Sequence, residues 1–574
     1  MRRSRSIAAA CIALVVLGLA GCTFVRTAPV AAPAPVVVIV TDPITWSEVA
    51  SGMPELRRLA DDAALGLVVA KDPAASTSTL LAHGITGVQP ISSSRVHGTP
   101  AEMDEAIASA VAEAPPGVAV VVTSELTSTV AGRGASAGVA LVSGGGYKAG
   151  LLTSISTRRR GLVTDGDVAA TVARIAGPSP GVAAGIVASV VDDRRTPAER
   201  IAWLQLMSTF LDATEQLRIP VVVAYGAFMV LLLAGGWYFA ERGRASAHFG
   251  YWSLVVRRLI ILGLVLPPAA TLLHVADRFP SSPPRVVALL LAASGFLWVF
   301  AEFAWQRWGT AGAIAFAGIA AALVLGGDQL TGASLSLSGI FSYSPLGAFR
   351  FFGIGNEGAS ILIGGALVGL SLEMDATGTD VRRRRLLIAV VGVACVLLCA
   401  APFFGANVVV SLWGTVTFAA FWIAAEKRRV RVRDVVAVAA LAVLAVATMV
   451  ILDRFTGGTH IGRAVRDVAS GGLGALLAHR LQVSVRLFTG SPLPAIALAL
   501  TAALAYLRAR PRGRMALVLA KYPYFAAAMS AGLIGGLLGS LAEDSGVVII
   551  ALMVTYLIGA LVALMLEPER EAIA

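Results

Sequence analysis

The chain has 574 residues, of which 57% are hydrophobic and only 14% charged, where a soluble globular chain carries about 25% charge. That balance excludes a soluble enzyme, a disordered tail protein and a nucleic-acid-binding module. The net charge of +11 is nearly all arginine, since only four lysines occur, and its meaning depends on where the arginines fall relative to apolar spans.

Residues 1–22 have the pattern of an export signal: basic MRRSRS, then apolar IAAACIALVVLGLAGC closing on small residues. Leu19-Ala20-Gly21-Cys22 resembles the bacterial lipobox, which implies cleavage and acylation of the Cys22 thiol; an uncleaved anchor helix is the alternative. Either way, the segment that follows is expected outside the cytoplasm. Cys395 and Cys399 stand four apart inside an apolar run, the spacing of packing residues on one helical face rather than of a disulfide framework.

A Pro/Ala-rich tether occupies residues 23–35, and a moderately polar block runs to 195. Within it VVVIVTD (36–42) and VAVVVTS (118–124) are too short to cross a bilayer and read as buried strands. PELRRLADDAA (54–64) and AEMDEAIASAVAEA (101–114) carry helical periodicity. Strands alternating with helices predict an extracytoplasmic α/β domain with a largely parallel sheet. Residues 196–218 read as an amphipathic juxtamembrane helix leading to the bilayer.

Eleven apolar segments follow, near 219–240, 258–276, 285–302, 310–326, 355–372, 386–401, 406–425, 435–452, 492–507, 522–541 and 546–566. Each approaches the roughly 20 residues that span a hydrocarbon core. With the first domain outside, the arginine clusters 242–258, 382–385, 428–433 and 508–514 all fall on the cytoplasmic side, as the positive-inside rule requires. The expectation is an all-α polytopic membrane domain over 219–566, eleven spans in a bacterial cytoplasmic membrane, with a cytoplasmic tail at 567–574.

The block 36–177 resembles the alkaline-phosphatase superfamily. Val36–Asp42 followed by the PELRRLADDAALG helix is similar to that family's first strand and helix, and GLLTSISTRRRGLVTDGDVAATVARIAG (150–177) is similar to a segment near the end of its membrane-linked members. The resemblance implies two divalent ions held by several Asp and His around a Ser or Thr nucleophile. Of these only Asp42 matches a ligand position, with a strand-end turn residue as its alternative. Ser76–Thr79 lie where a nucleophile would fall, Thr123-Ser124-Glu125 replaces an expected ligand set, and His83 and His97 are the domain's only histidines. The implied domain is a shortened relative that holds no metal and is catalytically inactive. Arg158, Arg159 and Arg160 are either an anion site or a solvated basic loop.

Three constellations mark the membrane half, where ionisable residues are functional candidates by default. Asn356 and Glu357 sit among Gly353, Gly355 and Gly358 after Arg350, a pattern that can unwind a helix and bare its backbone. Glu543, Asp544 and Ser545 follow a second glycine-rich span, and Asn407 in FGAN is expected on the same outer side. The third is the 453–491 loop with Arg454, Arg463, Arg466, Arg480 and Arg486 beside His460 and His479. It runs against the positive-inside bias, and its guanidinium groups suit phosphate or pyrophosphate, with snorkelling toward lipid phosphates as the alternative.

The leading functional expectation is glycan or polymer transfer from a lipid-linked donor, with Glu357, Glu543 or Asp544 as the catalytic carboxylate. Arg350, Asn356, Asn407, Arg463, Arg466, His479, Arg480 and Arg486 would hold the substrate. In layout alone, many spans with a late arginine-containing outer loop resemble O-antigen ligases and polymerases. A transporter or lipid flippase built on two broken helices is the second reading, and a noncatalytic assembly or sensing protein that docks envelope-assembly partners is the third. The expected partners are membrane lipids and a lipid-linked or anionic substrate; no cofactor, metal or nucleic acid is called for.

Overall fold

Strand β1 (Val36–Thr41) sends Val37 and Ile39 into one apolar core and Val36, Val38 and Val40 into another. A strand dry on both faces reads as an unbroken apolar run because neither set of alternating side chains meets water. The computed structural model describes residues 34–71, 91–126, 136–177, 185–243, 246–347, 350–426, 430–455, 493–543 and 545–567. The export signal with Cys22 and most of the 453–491 loop lie outside them.

After β1 come α1 (Trp46–Gly52), α2 (Pro54–Ala60), β2 (Ala64–Val69), β3 (Ile91–Val96), α3 (Pro100–Ala112), β4 (Ala119–Ser124), β5 (Gly138–Ser143), β6 (Gly150–Thr153), β7 (Leu162–Thr164), α4 (Asp165–Ala176) and β8 (Ser189–Val191). The strands form one sheet in the order β3-β1-β4-β5-β2-β7-β6-β8. It is mixed, not largely parallel: β1 runs parallel to β3 and β4, and β2 to β6 and β7, but β5 is antiparallel to both of its neighbours and β8 to β6. Gly144, Gly145 and Gly146, all at positive φ, turn the chain tightly between β5 and β6. So short a link reverses direction but cannot make the crossover a parallel return needs.

Four helices start on a Thr-x-x-Glu/Asp capping box, at Thr45/Glu48, Thr99/Glu102, Thr164/Asp167 and Thr196/Glu199, which satisfies backbone donors that the first turn leaves open. The last of them opens α5 (Pro197–Arg242), 46 residues with Pro220 inside. At 1.5 Å per residue it is about 69 Å long. The juxtamembrane helix and the first apolar segment are therefore one rod, with Ile201, Leu204, Met207, Phe210 and Leu211 in the α/β core and Leu231 74% exposed further on.

The helical part continues with α6 (Phe249–Ala276), α7 (Pro283–Leu330), α8 (Asn356–Thr377), α9 (Val381–Ala400), α10 (Val408–Ala425), α11 (Val432–Phe455), α12 (Leu493–Ala509), α13 (Gly513–Lys521), α14 (Pro523–Ala542) and α15 (Val548–Met565). Gly309 (φ 67°, ψ −167°) breaks α7 in two. The rings of Phe300 and Phe316 lie 6.4 Å apart, whereas sixteen residues of straight helix would put them about 24 Å apart. The chain folds back there, and α7 holds two of the apolar segments. Each apolar segment read from the sequence coincides with a helix, and eight helices among the described residues are long and apolar enough to cross a membrane.

The two parts share a core. Leu337, Tyr343, Leu346 and Phe351, from the connection between α7 and α8, pack into the cluster that covers one face of the sheet. Polar ties reinforce it. The buried Arg159 guanidinium donates to Gly332 O at 3.0 Å, to Ala333 O, and to Tyr343 Oη at 3.2 Å. Arg218 of α5 donates to Gly339 O at 2.9 Å and to Ser342 O. Asp328 at the end of α7 accepts from Leu335 N, Ser336 N and Ser336 Oγ.

Asp165, at the start of α4, is fully buried, and burial pushes its carboxyl up to about 6 although Lys71 N and Gly166 N donate to Oδ1. The folded protein thus keeps this proton up to about pH 6, while the unfolded chain loses it near pH 4. Its contribution to stability is complete below that lower value and is lost as pH rises through the upper one. Asp165→Asn is expected to flatten this dependence, raising stability at pH 7.5 by about 2–3 kcal/mol relative to the parent and leaving pH 4 nearly unchanged. Thermal unfolding of the purified chain at both pH values measures it.

Candidate functional site

Three stretches far apart in the chain meet at the end of the helical bundle that faces the α/β domain. Asn356 begins α8, Asn407 precedes α10, and Glu543 closes α14 while Val547 opens α15, with Ser545 between them. Asn407 Nδ2 donates to Asn356 Oδ1 at 2.7 Å, and Asn356 Nδ2 donates to Ser545 Oγ at 2.9 Å. Trp413 Nε1 of α10 donates to Glu543 Oε1 at 3.3 Å. Asn356, Asn407, Trp413 and Glu543 are all buried, so these bonds form with little competition from water.

Glycine makes this meeting sterically feasible. Ile354 N donates to Gly405 O at 2.9 Å, backbone against backbone. At Gly353 (φ 78°) a Cβ would come within 2.1 Å of Gly405 O, and at Gly405 a Cβ would come within 2.3 Å of Cys399 O. Gly353 turns the chain at positive φ, Gly355 is the extended N-cap, and α8 starts directly after it. Of the glycines expected to unwind a helix, Gly353 and Gly355 therefore stand ahead of α8 rather than within it, and Gly358 lies inside its first turn, where the helix is unbroken. Likewise Glu543 and Ser545 occupy a turn between two helices rather than an interruption of one.

Glu357 is half-buried in the first turn of α8, where the unpaired amides of a helix start favour a carboxylate. A Cβ on Gly355 would approach Glu357 Oε2 to 3.0 Å. Arg350, expected to hold the substrate, donates from Nη1 to Gly405 O at 3.3 Å and so braces the loop that carries Asn407. Gln329 stands one turn beyond Leu325, a residue that lies against Gly358 of α8. It is fully buried, and neither end of its amide has a hydrogen-bond partner among the described residues, which makes it a handle for a polar group or an ordered water. Cys395 and Cys399 are buried thiols in α9, and Cys399 O accepts from Asn407 N at 3.0 Å.

Asp544 and the loop residues Arg463, Arg466, His479, Arg480 and Arg486 lie outside the described residues, as do Cys22, Ser76–Thr79 and His83.

In the α/β domain, Asp42 Oδ1 lies 2.6 Å from His97 Nδ1, and Gly98 N donates to Asp42 Oδ2 at 3.2 Å. The His97 bond holds the Asp42 carboxyl below its usual range, helped by Gly98. Asp42 thus ties the end of β1 to the end of β3. Among the described residues no group of three or more His, Cys, Asp or Glu is arranged to hold a metal ion. Arg158 and Arg159 donate to carbonyls of the helical part, Arg158 half-buried and Arg159 buried, and Arg160 is exposed.

Composition and spacing marked Asn356, Asn407, Glu543 and Ser545 separately. Nothing local in the sequence marked Trp413, Gln329 or the 331–344 connection, whose roles depend on what packs against them. Comparison with known protein families, with curated proteins and with solved structures finds no match to the chain.

Asn407→Ala leaves Asn356 Oδ1 buried with one donor removed and is expected to cost about 1–3 kcal/mol. Gly353→Ala combines positive φ with a backbone clash and should cost at least as much, on the order of 3 kcal/mol. Thermal unfolding of each variant in detergent checks both, and parent-like midpoints would refute the geometry.

Proposed function

We propose that the chain is a bacterial envelope membrane protein that transfers a glycan or polymer from a lipid-linked, phosphate-bearing donor at the Asn356–Asn407–Glu543 cluster. The observation that carries this reading is the meeting of three sequence-distant polar stretches in a buried position beside a half-buried carboxylate, at the domain-facing end of an apolar bundle. Purely structural helix packing does not call for two asparagines, a serine and a buried glutamate at one point, because each costs desolvation there.

In this reading Glu357 takes the proton from an acceptor hydroxyl as that oxygen attacks the donor's anomeric carbon. The carbon–oxygen bond to phosphate breaks, and the lipid diphosphate leaves with the electron pair. Asn356, Asn407 and Gln329 orient sugar hydroxyls, Glu543 or Asp544 is the alternative catalytic carboxylate, and Arg350 with Arg463, Arg466, His479, Arg480 and Arg486 offsets the phosphate charge. The reaction needs no cofactor. The same reading has eleven spans, the α/β domain and the 453–491 loop outside, Cys22 lipidated, and the α/β domain as a degenerate alkaline-phosphatase-like module.

Depleting the protein from its host and extracting lipids tests it: a lipid-linked glycan is expected to accumulate, and an unchanged lipid profile would count against the proposal. Glu357→Gln keeps shape but removes the base, and complementation should fall by about 10²-fold or more. A fully active Gln variant would sink the assignment of Glu357.

A further inference from the structure

One side chain of the α/β domain, Arg158, touches both of the loops that lead to the polar cluster. The turn that presents it is rigid: Ser154 Oγ and Ser156 Oγ donate to the two oxygens of Asp167 at 2.6 and 2.7 Å, and Thr157 Oγ1 donates to Leu162 O at 2.6 Å. Ser154, Ser156, Thr157 and Asp167 are all buried. Arg158 sits at φ 52°, with its N–H bonded to Ser154 O at 2.7 Å. A non-glycine residue holds that conformation only where its surroundings over-determine it.

From this turn the Arg158 guanidinium lies 4.1 Å from the centroid of the Phe352 ring and donates from Nη1 to Pro402 O at 2.5 Å. Phe352 stands in the loop that ends at Asn356, and Pro402 in the loop that ends at Asn407. Those two asparagines are hydrogen-bonded to each other. One cation therefore spans both loops, lying over the Phe352 ring of one and donating to the Pro402 carbonyl of the other. Arg159 is spent separately, on Gly332, Ala333 and Tyr343, and anchors the domain itself.

We propose that Arg158 is a positioning residue through which the α/β domain sets the register of Asn356 against Asn407, so that this domain braces the site in the helical part instead of reacting on its own. The importance of that register rests on the proposed function; the bracing rests on geometry alone.

Hydrogen–deuterium exchange on the full chain in lipid nanodiscs tests the bracing, with variants Arg158→Ala, Arg158→Lys and the exposed control Arg160→Ala. Arg158→Ala is expected to speed exchange about tenfold in peptides covering 350–360 and 403–412, with sheet and α14 peptides unchanged. Arg158→Lys, which keeps a donor for Pro402 O, should recover part of the protection, and Arg160→Ala should match the parent. Unchanged exchange in both loops, a uniform rise across the whole chain, or no recovery by lysine would overturn the proposal. A second arm uses the lipid-extract assay: Arg158→Ala should accumulate the intermediate and Arg158→Lys less of it, and full function in Arg158→Ala would overturn the positioning role. If depletion itself leaves lipids unchanged, the proposed function fails while the exchange arm still decides the bracing.

Discussion

A guanidinium buried against backbone carbonyls is the interaction on which the rest of this molecule depends. Among the described residues, the connection from α7 to α8 holds one short 3-10 turn at Pro345–Gly347 and no longer helix or strand, and burying carbonyls unpaired in such a segment is costly. Arg159 from the α/β domain and Arg218 from α5 supply the donors. In exchange the connection gives Leu337, Tyr343, Leu346 and Phe351 to the domain's core. Each half completes the other, with α5 as a continuous strut between them.

That docking explains why the asparagine cluster is dry. An amide pair at the mouth of a membrane bundle would ordinarily be hydrated, and its bonds would add little net stability. Here Phe351, Phe352 and Ile354 are buried above it, and the glycines at 353 and 405 let two backbones approach until Ile354 N meets Gly405 O. The polar groups are held by one another and by helix starts, in an environment where a misplaced carboxylate or amide has no water to fall back on.

Much of the helical half was legible because period and length are local properties. The apolar segments coincide with helices, including the two that Gly309 separates within α7, since the fold-back there falls at one glycine between two apolar runs. The sheet was less legible. Alternation of strands and helices favoured parallel pairing, but the direction of β5 depends on which strands flank it, and the Gly144–Gly146 turn signals a reversal without naming the neighbours. Among candidate residues, Asn356 and Glu357 stood out by their glycine setting. Arg158 and Arg159 were visible only as a basic run, since a carbonyl acceptor roughly 170 or more positions away leaves no trace in local sequence.

By itself the sequence determined an apolar, arginine-rich membrane chain with an α/β block at its N-terminal side, because hydrophobic period, span length and charge bias are properties of contiguous residues. It also determined which glycine-flanked polar stretches were worth attention. Only the tertiary structure decided that the stretches around Asn356, Asn407 and Ser545 are one cluster, that Gly353 and Gly355 precede a helix rather than break one, and that the basic run of the α/β domain reaches the loops supporting that cluster. Those outcomes are set by contacts between residues as many as 244 positions apart, and such contacts exist only once close packing has chosen which surfaces are buried together.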